Sequence, residues 1–302
     1  MKKTSFTLAV LLPLLALAAC TKAIPVELDT YEERVAIESL LLPGTLPKVY
    51  LNKTVPFFNT NQTPSDLFLS GAEVIISSRD GVDHLKADSI YNRFWCRYEP
   101  FYAGEIVIQE NVEYTLTVTV RGSTYTATTV TDVPAVTIDS VSYTANFTDI
   151  YGGHEGVIVD FMDIAGQPNQ YRFQMDRPLD NRHETVDDFE YSSTCMTDGE
   201  TYVVEEIGRF VYFDTNFDGA PVRFVVEPAY INFKGDPGMV YIQSLNRDVA
   251  EFFDVLDRQR ESNINPFIEP VFLDSKIEGA IGVFGAINRS EGFNFIFPED
   301  SG

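Results

Sequence analysis

Glu113-Tyr114-Thr115-Leu116-Thr117-Val118-Thr119-Val120, followed by Arg121-Gly122-Ser123 and then Thr124-Tyr125-Thr126-Ala127-Thr128-Thr129-Val130, is the stretch that decides the fold. Its first limb alternates with a period of two, which places Tyr114, Leu116, Val118 and Val120 on one face of a half-buried strand. Arg121-Gly122-Ser123 turns the chain, and the return limb is rich in β-branched residues, so the pair reads as a hairpin. Working outward, Val35–Glu38 and Lys48–Leu51 flank the turn pair Pro43-Gly44. Ala72–Ile76 runs into Arg79-Asp80-Gly81, another turn. Strand after strand at short intervals predicts an immunoglobulin-like β-sandwich over 35–132.

Asp132-Val133-Pro134-Ala135 is the expected boundary, because Pro134 cannot donate to a strand ladder. Beyond it, 136–302 is expected to form a β-rich domain with one packed α-helix. Its strands are read at Val136–Tyr143, Gly156–Met162, Gln170–Met175, Arg209–Phe213 and Val222–Pro228, with Asp176–Glu190 as an exposed charged loop. Asn246 is the expected N-cap of the helix, with Asp248 and Glu251 in its first turns and Arg258 and Arg260 in its last. Val249, Phe252, Phe253 and Leu256 recur at helical spacing and give it one apolar face.

The start of the chain carries an address. Lys2 and Lys3 precede an apolar run from Leu8 to Ala19 that is too short to span a bilayer, so 1–19 reads as a signal peptide. Leu17-Ala18-Ala19-Cys20 resembles the lipobox of bacterial lipoproteins, in which the Cys20 sulfur is acylated and becomes the mature N-terminus. Residues 20–34 would then be lipid anchor and tether, fixing the chain to a membrane through Cys20. Thr21 follows Cys20 where an Asp would signal inner-membrane retention, so the outer membrane is the expected location, on its periplasmic or its cell-surface face.

Of 302 residues, 44% are hydrophobic and 13% aromatic, enough for a full core. The formal charge of −23 repels nucleic acid and anionic lipid, so no nucleic-acid partner is expected. Beyond Cys20, the remaining cysteines are Cys96 and Cys195. In an oxidising compartment they either pair as one disulfide or are buried separately as small hydrophobes.

Candidate chemistry is sparse. Asp214, Asn216 and Asp218, in Asp214-Thr215-Asn216-Phe217-Asp218-Gly219, resemble the first half of a calcium loop. The twelfth position, which should be a bidentate Glu, is Val225, and a turn between strands explains the same residues. No cofactor is therefore expected, with calcium as the alternative. His84, His154 and His183 form no metal pair: His154-Glu155 lacks a second His four residues on and reads as part of a Gly-rich turn, and His183 lies in the charged loop. No nucleophile elbow or Cys-x-x-Cys pair appears. Tyr91, Phe94, Trp95, Tyr98, Phe101 and Tyr102 lie within a dozen residues; exposed, they make a binding patch, and buried, they are core. Trp95, Tyr98 and Tyr102 are the binding candidates.

Several stretches together resemble a Bacteroidota lipoprotein family described as domain of unknown function 4249. They are Ser70–Val74, Glu113–Val118 with Tyr125–Ala127, Asp218-Gly219, and above all Asn265–Val271 followed by Ile277–Ala286. Lys276 stands where the family usually has Asn, and Ala280 replaces one of its glycines. The resemblance implies no catalytic residue. It implies an accessory role beside a TonB-dependent outer-membrane transporter, capturing a ligand or scaffolding a receptor. Non-catalytic binding is thus the expected function; a surface hydrolase using carboxylates or His, or an adhesive envelope module, are the alternatives. Gly279, Gly282 and Gly285 allow close backbone approach or positive φ, and a closing hairpin against the helix is the simplest use for them.

Overall fold

A computed structural model of the chain describes residues 31–56, 59, 61–149, 152–181, 185–186, 189–190, 193–215, 218–228, 235–264, 271–273 and 275–298. It is mainly β with one long packed helix. The deciding hairpin is β6 (Glu113–Val120) and β7 (Ser123–Val130), in register from Glu113↔Val130 to Val120↔Ser123. Arg121 (φ 53°) and Gly122 (φ 82°) both take positive φ, the backbone a two-residue hairpin turn needs to match strand twist. Tyr114, Leu116, Val118 and Val120 are buried, as the alternation predicts.

The other elements of this half are β1 (Val35–Leu41), β2 (Lys48–Lys53), a capped single turn α1 (Pro64–Leu67), β3 (Glu73–Ser78), β4 (Gly81–Asn92) and β5 (Arg97–Ala103). β4 belongs to two layers. Gly81–Leu85 pairs with β3, whereas Lys86–Asn92 pairs with β5. The chain order β1-β2-β5-β4-β3-β6-β7 is thereby folded over on itself. Ile37, Leu51, Val74, Ile76, Leu116 and Val118 meet in one core between the layers, a sandwich in which each fully buried aliphatic contributes about 1.5–3 kcal/mol.

A second core lies between β8 (Ile138–Asp149), β9 (Gly152–Met162) and β15 (Pro221–Val226) on one side, and β10 (Gln170–Asp180) with β16 (Pro237–Leu245) on the other. β13 (Thr201–Ile207) and β14 (Tyr212–Phe213) also pair with β10, and β11 (Thr185–Val186) with β12 (Phe189–Glu190) forms a separate small ribbon. The expected loop over Asp176–Glu190 is corrected here: Asp176–Asp180 continue β10, because Arg177 finds a buried ion-pair partner in Glu206 and can enter the core. Of the expected strand at Arg209–Phe213, Tyr212 and Phe213 are extended. The Gly-rich run around His154 opens β9 instead of forming a turn.

The helix α2 (Arg247–Ile264) starts where expected, with the Val249 N–H donating to Asn246 Oδ1 at 3.1 Å. Val249 and Phe252 are buried against Leu245, Val283 and Ile287. The last strands, β17 (Ile281–Arg289) and β18 (Phe293–Ile296), follow. β17 does not form a closing hairpin. Its first part pairs parallel with β1, from Ala36↔Ile281 to Leu41↔Ala286, and its last part pairs antiparallel with β16. One 13-stranded sheet therefore includes segments on both sides of Asp132–Ala135, and Asn288 Nδ2 donates to Val133 O at 2.9 Å. Two of the glycines explain this seam. A Cβ on Gly282 would stand 1.7 Å from Ile37 O, and one on Gly285 would stand 2.2 Å from Val249 Cγ2. Strand and helix can approach only because both lack side chains.

Candidate functional site

β10 alternates Tyr171, Phe173 and Met175 into the second core, which turns Arg172, Gln174 and Asp176 to the opposite face. On that face α2 lies over the sheet. Arg172 is only 5% exposed. Its Nε and Nη2 both donate to Gln243 Oε1, at 3.1 and 3.0 Å, and its guanidinium stands 4.4 Å from the centre of the Phe253 ring. Gln243 donates onward to Gln174 Oε1 at 2.7 Å, and Gln174 donates to Asp176 and Glu205 at 2.8 and 2.9 Å. No described carboxylate reaches ion-pair distance of Arg172, and its Nη1 has no acceptor among the described residues. Burial pulls its pKa down to about 10, against the fields of Asp257, Glu38 and Glu205.

Those carboxylates are perturbed in turn. Desolvation raises Glu38 above the usual carboxylate range, opposed by Arg172 and Arg260. It raises Asp257, opposed first by Arg260 and then by Arg172. Glu205 stands at the rim, yet enough of it is shielded that desolvation, and then Asp176, raise it too. Tyr50 is raised by desolvation and then by Glu38, Glu99 and Glu205. Leu40 on β1, Val283 and Ile287 on β17, Leu245 on β16 and Phe213 on β14 share one apolar cluster with Val249, Phe252 and Phe253 of α2, so the helix covers this face from β1 to the strands beside β10.

A second surface lies at the tip of the β4–β5 hairpin. The Trp95 N–H donates to Asn92 Oδ1 at 3.0 Å, and Cys96 takes positive φ (53°) in the turn. Cys96 is joined to Cys195 by a disulfide with a Cα–Cα distance of 5.6 Å. Ser193 Oγ donates to Arg93 O at 2.8 Å, Arg93 pairs with Glu200, and the Phe94 ring stacks 4.8 Å from Tyr202. The tip is thus fastened to the 193–202 segment by a covalent bond, an ion pair and a ring stack. Trp95 (56% exposed), Tyr98 (58% exposed) and Tyr91 are open to solvent at the tip, and Ile90 is exposed on the opposite face of β4 from Tyr91. Arg97 lies 5.7 Å from the Trp95 ring centre, and Tyr91 lies 5.0 Å from Tyr98. The aromatic run is therefore split between surface and core. Tyr102 is core: its hydroxyl donates to Leu69 O and accepts from the Ala72 N–H, both at 2.9 Å.

Of the calcium candidates, Asp214 and Asp218 accept from the chain's own backbone. Asp214 Oδ2 accepts from the Asn169 N–H at 2.7 Å, and Asp218 Oδ1 accepts from the Gly166 N–H at 2.7 Å. Nearby, Asp163 accepts from the Tyr171 hydroxyl at 2.6 Å and from the Gly219 N–H at 2.7 Å. These carboxylates serve as acceptors for the chain's own donors, and no group of three metal-ligating side chains occurs among the described residues. Asn216, His183 and Cys20 lie outside the described residues. His154 Nδ1 lies 3.1 Å from Glu227 Oε1, while His84 is exposed on β4. Lys276 donates to Glu251 Oε2 at 2.6 Å and ties the turn before β17 to α2. The binding candidates thus divide: Trp95 and Tyr98 outside, Tyr102 inside. Arg172 is absent from the sequence candidates, although the alternation of Gln170–Met175 already sets it opposite Tyr171 and Phe173.

No curated protein matches the sequence. The profile of the family described as domain of unknown function (DUF4249) matches residues 21–292. That span takes in both cores, the Cys96–Cys195 bridge, Arg172 and the glycine-lined seam, and the chain belongs to this family.

Proposed function

We propose that the protein is a lipid-anchored outer-membrane protein that works by binding and not by catalysis, as an accessory subunit beside a TonB-dependent transporter. The observation carrying this reading is the hairpin tip. Exposed Trp95, Tyr98 and Tyr91 sit on a support held by the Cys96–Cys195 bridge and the Phe94–Tyr202 stack. Rigid, exposed aromatics with an arginine beside them have the composition of an interface centre, and they lose little entropy on docking. The Leu17–Cys20 sequence supports the anchor, and the −23 charge supports a body that stays in water. The test is affinity purification from solubilised outer membrane. The native chain brings down a stable envelope partner, and a Trp95→Ala/Tyr98→Ala variant loses it; a native chain that purifies alone overturns the reading.

One observation favours a surface hydrolase as second reading: Glu38, Glu205 and Asp257 are held above their ordinary pKa on one face, as a general acid would be. Turnover of a glycoside by the purified protein, lost in Glu38→Gln, would establish it in place of the first.

A further inference from the structure

We propose that the polar cluster at Arg172, on the face of the sheet beneath α2, is a binding site for an uncharged polyhydroxylated ligand, a carbohydrate. The inference rests on the reading of this protein as a non-catalytic binder and supplies the class of ligand. Arg172 is a guanidinium with 5% exposure whose Nη1 finds no acceptor among the described residues, while its other two nitrogens share one neutral amide oxygen. A buried cation balanced by carboxylates beyond contact is costly to keep, and it is worth keeping where an incoming oxygen completes it.

The groups around it ask for hydrogen from a ligand. Glu38 accepts no hydrogen bond from the described chain, and Glu205 uses Oε1 alone, for Gln174. Asp257 uses Oδ1 alone, for Arg260. The site thus combines an unspent donor with three carboxylates that retain acceptor capacity, and Tyr50 adds a half-open ring at its edge. A free anion would face Glu38, Glu205 and Asp257; a free cation would face Arg172 and Arg260. A hydroxyl both donates and accepts, so a sugar satisfies both kinds of group without bringing net charge, and its apolar ring face can lie on an aromatic side chain.

The test is saturation-transfer NMR on the purified full chain. The probes are neutral gluco-, manno-, xylo- and galacto-oligosaccharides, with glutamate, a lysyl dipeptide and galacturonate as charged controls. We expect transfer to at least one neutral oligosaccharide, and at least a tenfold loss of affinity in Arg172→Met and in Glu38→Gln. The Trp95→Ala/Tyr98→Ala variant should bind the sugar as the native chain does. Absence of transfer to every neutral probe overturns the proposal, as does transfer confined to charged probes, or sugar binding that survives both substitutions. Should Arg172→Met fail to fold, Glu38→Gln alone decides. Loss of the envelope partner in the pull-down with sugar binding intact sinks the accessory role and leaves this site standing; hydrolysis of the bound sugar sinks the non-catalytic reading and confirms the ligand.

Discussion

Arg172 and Arg177 sit five positions apart on one strand, β10, and therefore face opposite sides of the sheet. Both are buried, and each lies within 5 Å of an aromatic ring centre, Phe253 for the first and Phe297 for the second. What differs is the counter-charge. Arg177 Nη1 donates to Glu206 Oε1 at 2.8 Å in a pair almost wholly removed from water, whereas Arg172 has a neutral amide and carboxylates held at a distance. Burial alone therefore does not tell a structural arginine from a functional one. A contact ion pair with a buried carboxylate marks the first, and a neutral amide partner with carboxylates beyond contact marks the second.

The largest expected effect breaks the closed pair. Arg177→Met removes the counter-charge 2.8 Å from the buried Glu206 carboxylate and should cost about 3–5 kcal/mol in a urea melt; a loss under about 1 kcal/mol would erase the distinction between the two arginines. Arg172→Met strands only the Gln243 amide oxygen, so its cost should stay near 1–3 kcal/mol. A larger loss than that of Arg177→Met would reverse the assignment.

The third measurement is pH dependence. Glu38 is raised when folded, mainly by desolvation, so its contribution to stability is complete below its unfolded value of 4.5 and is lost as pH rises through the folded pKa. Glu38→Gln cannot ionise. Relative to the native chain it should therefore gain stability as pH rises from below 4.5 to neutrality, read as a growing difference in denaturant midpoint. A constant difference would mean that Glu38 is solvated. The smallest effect belongs to the hairpin tip. Trp95→Ala, at a residue 56% exposed, should change stability by no more than about 0.5 kcal/mol while abolishing partner capture.

Local regularities in the sequence were enough for much of this fold. The β6–β7 hairpin follows from period-two alternation, and α2 begins at the N-cap that Asn246 announces. Pairings between distant segments were beyond reach. The parallel match of β1 with β17 leaves only a steric trace, at Gly282 and Gly285, which without partners reads equally as a hairpin turn. Arg177 was misplaced in a loop because a charged run looks solvated until Glu206, 29 positions away, is known to meet it. The same blindness concealed Arg172. Alternation gives its face, but only the overlying helix makes that face an interior.

The seam between β1 and β17 also sets an order of events. Ala36 waits for Ile281, so a chain made from its beginning carries an unsatisfied strand edge through nearly all of its synthesis. Contacts of such long separation form slowly, because a large loop must close before they repay its entropy. Until then that edge stands open to other strands. The late-arriving strand acts as a latch, and a product broken off before it would keep a sticky margin that quality-control proteases can recognise.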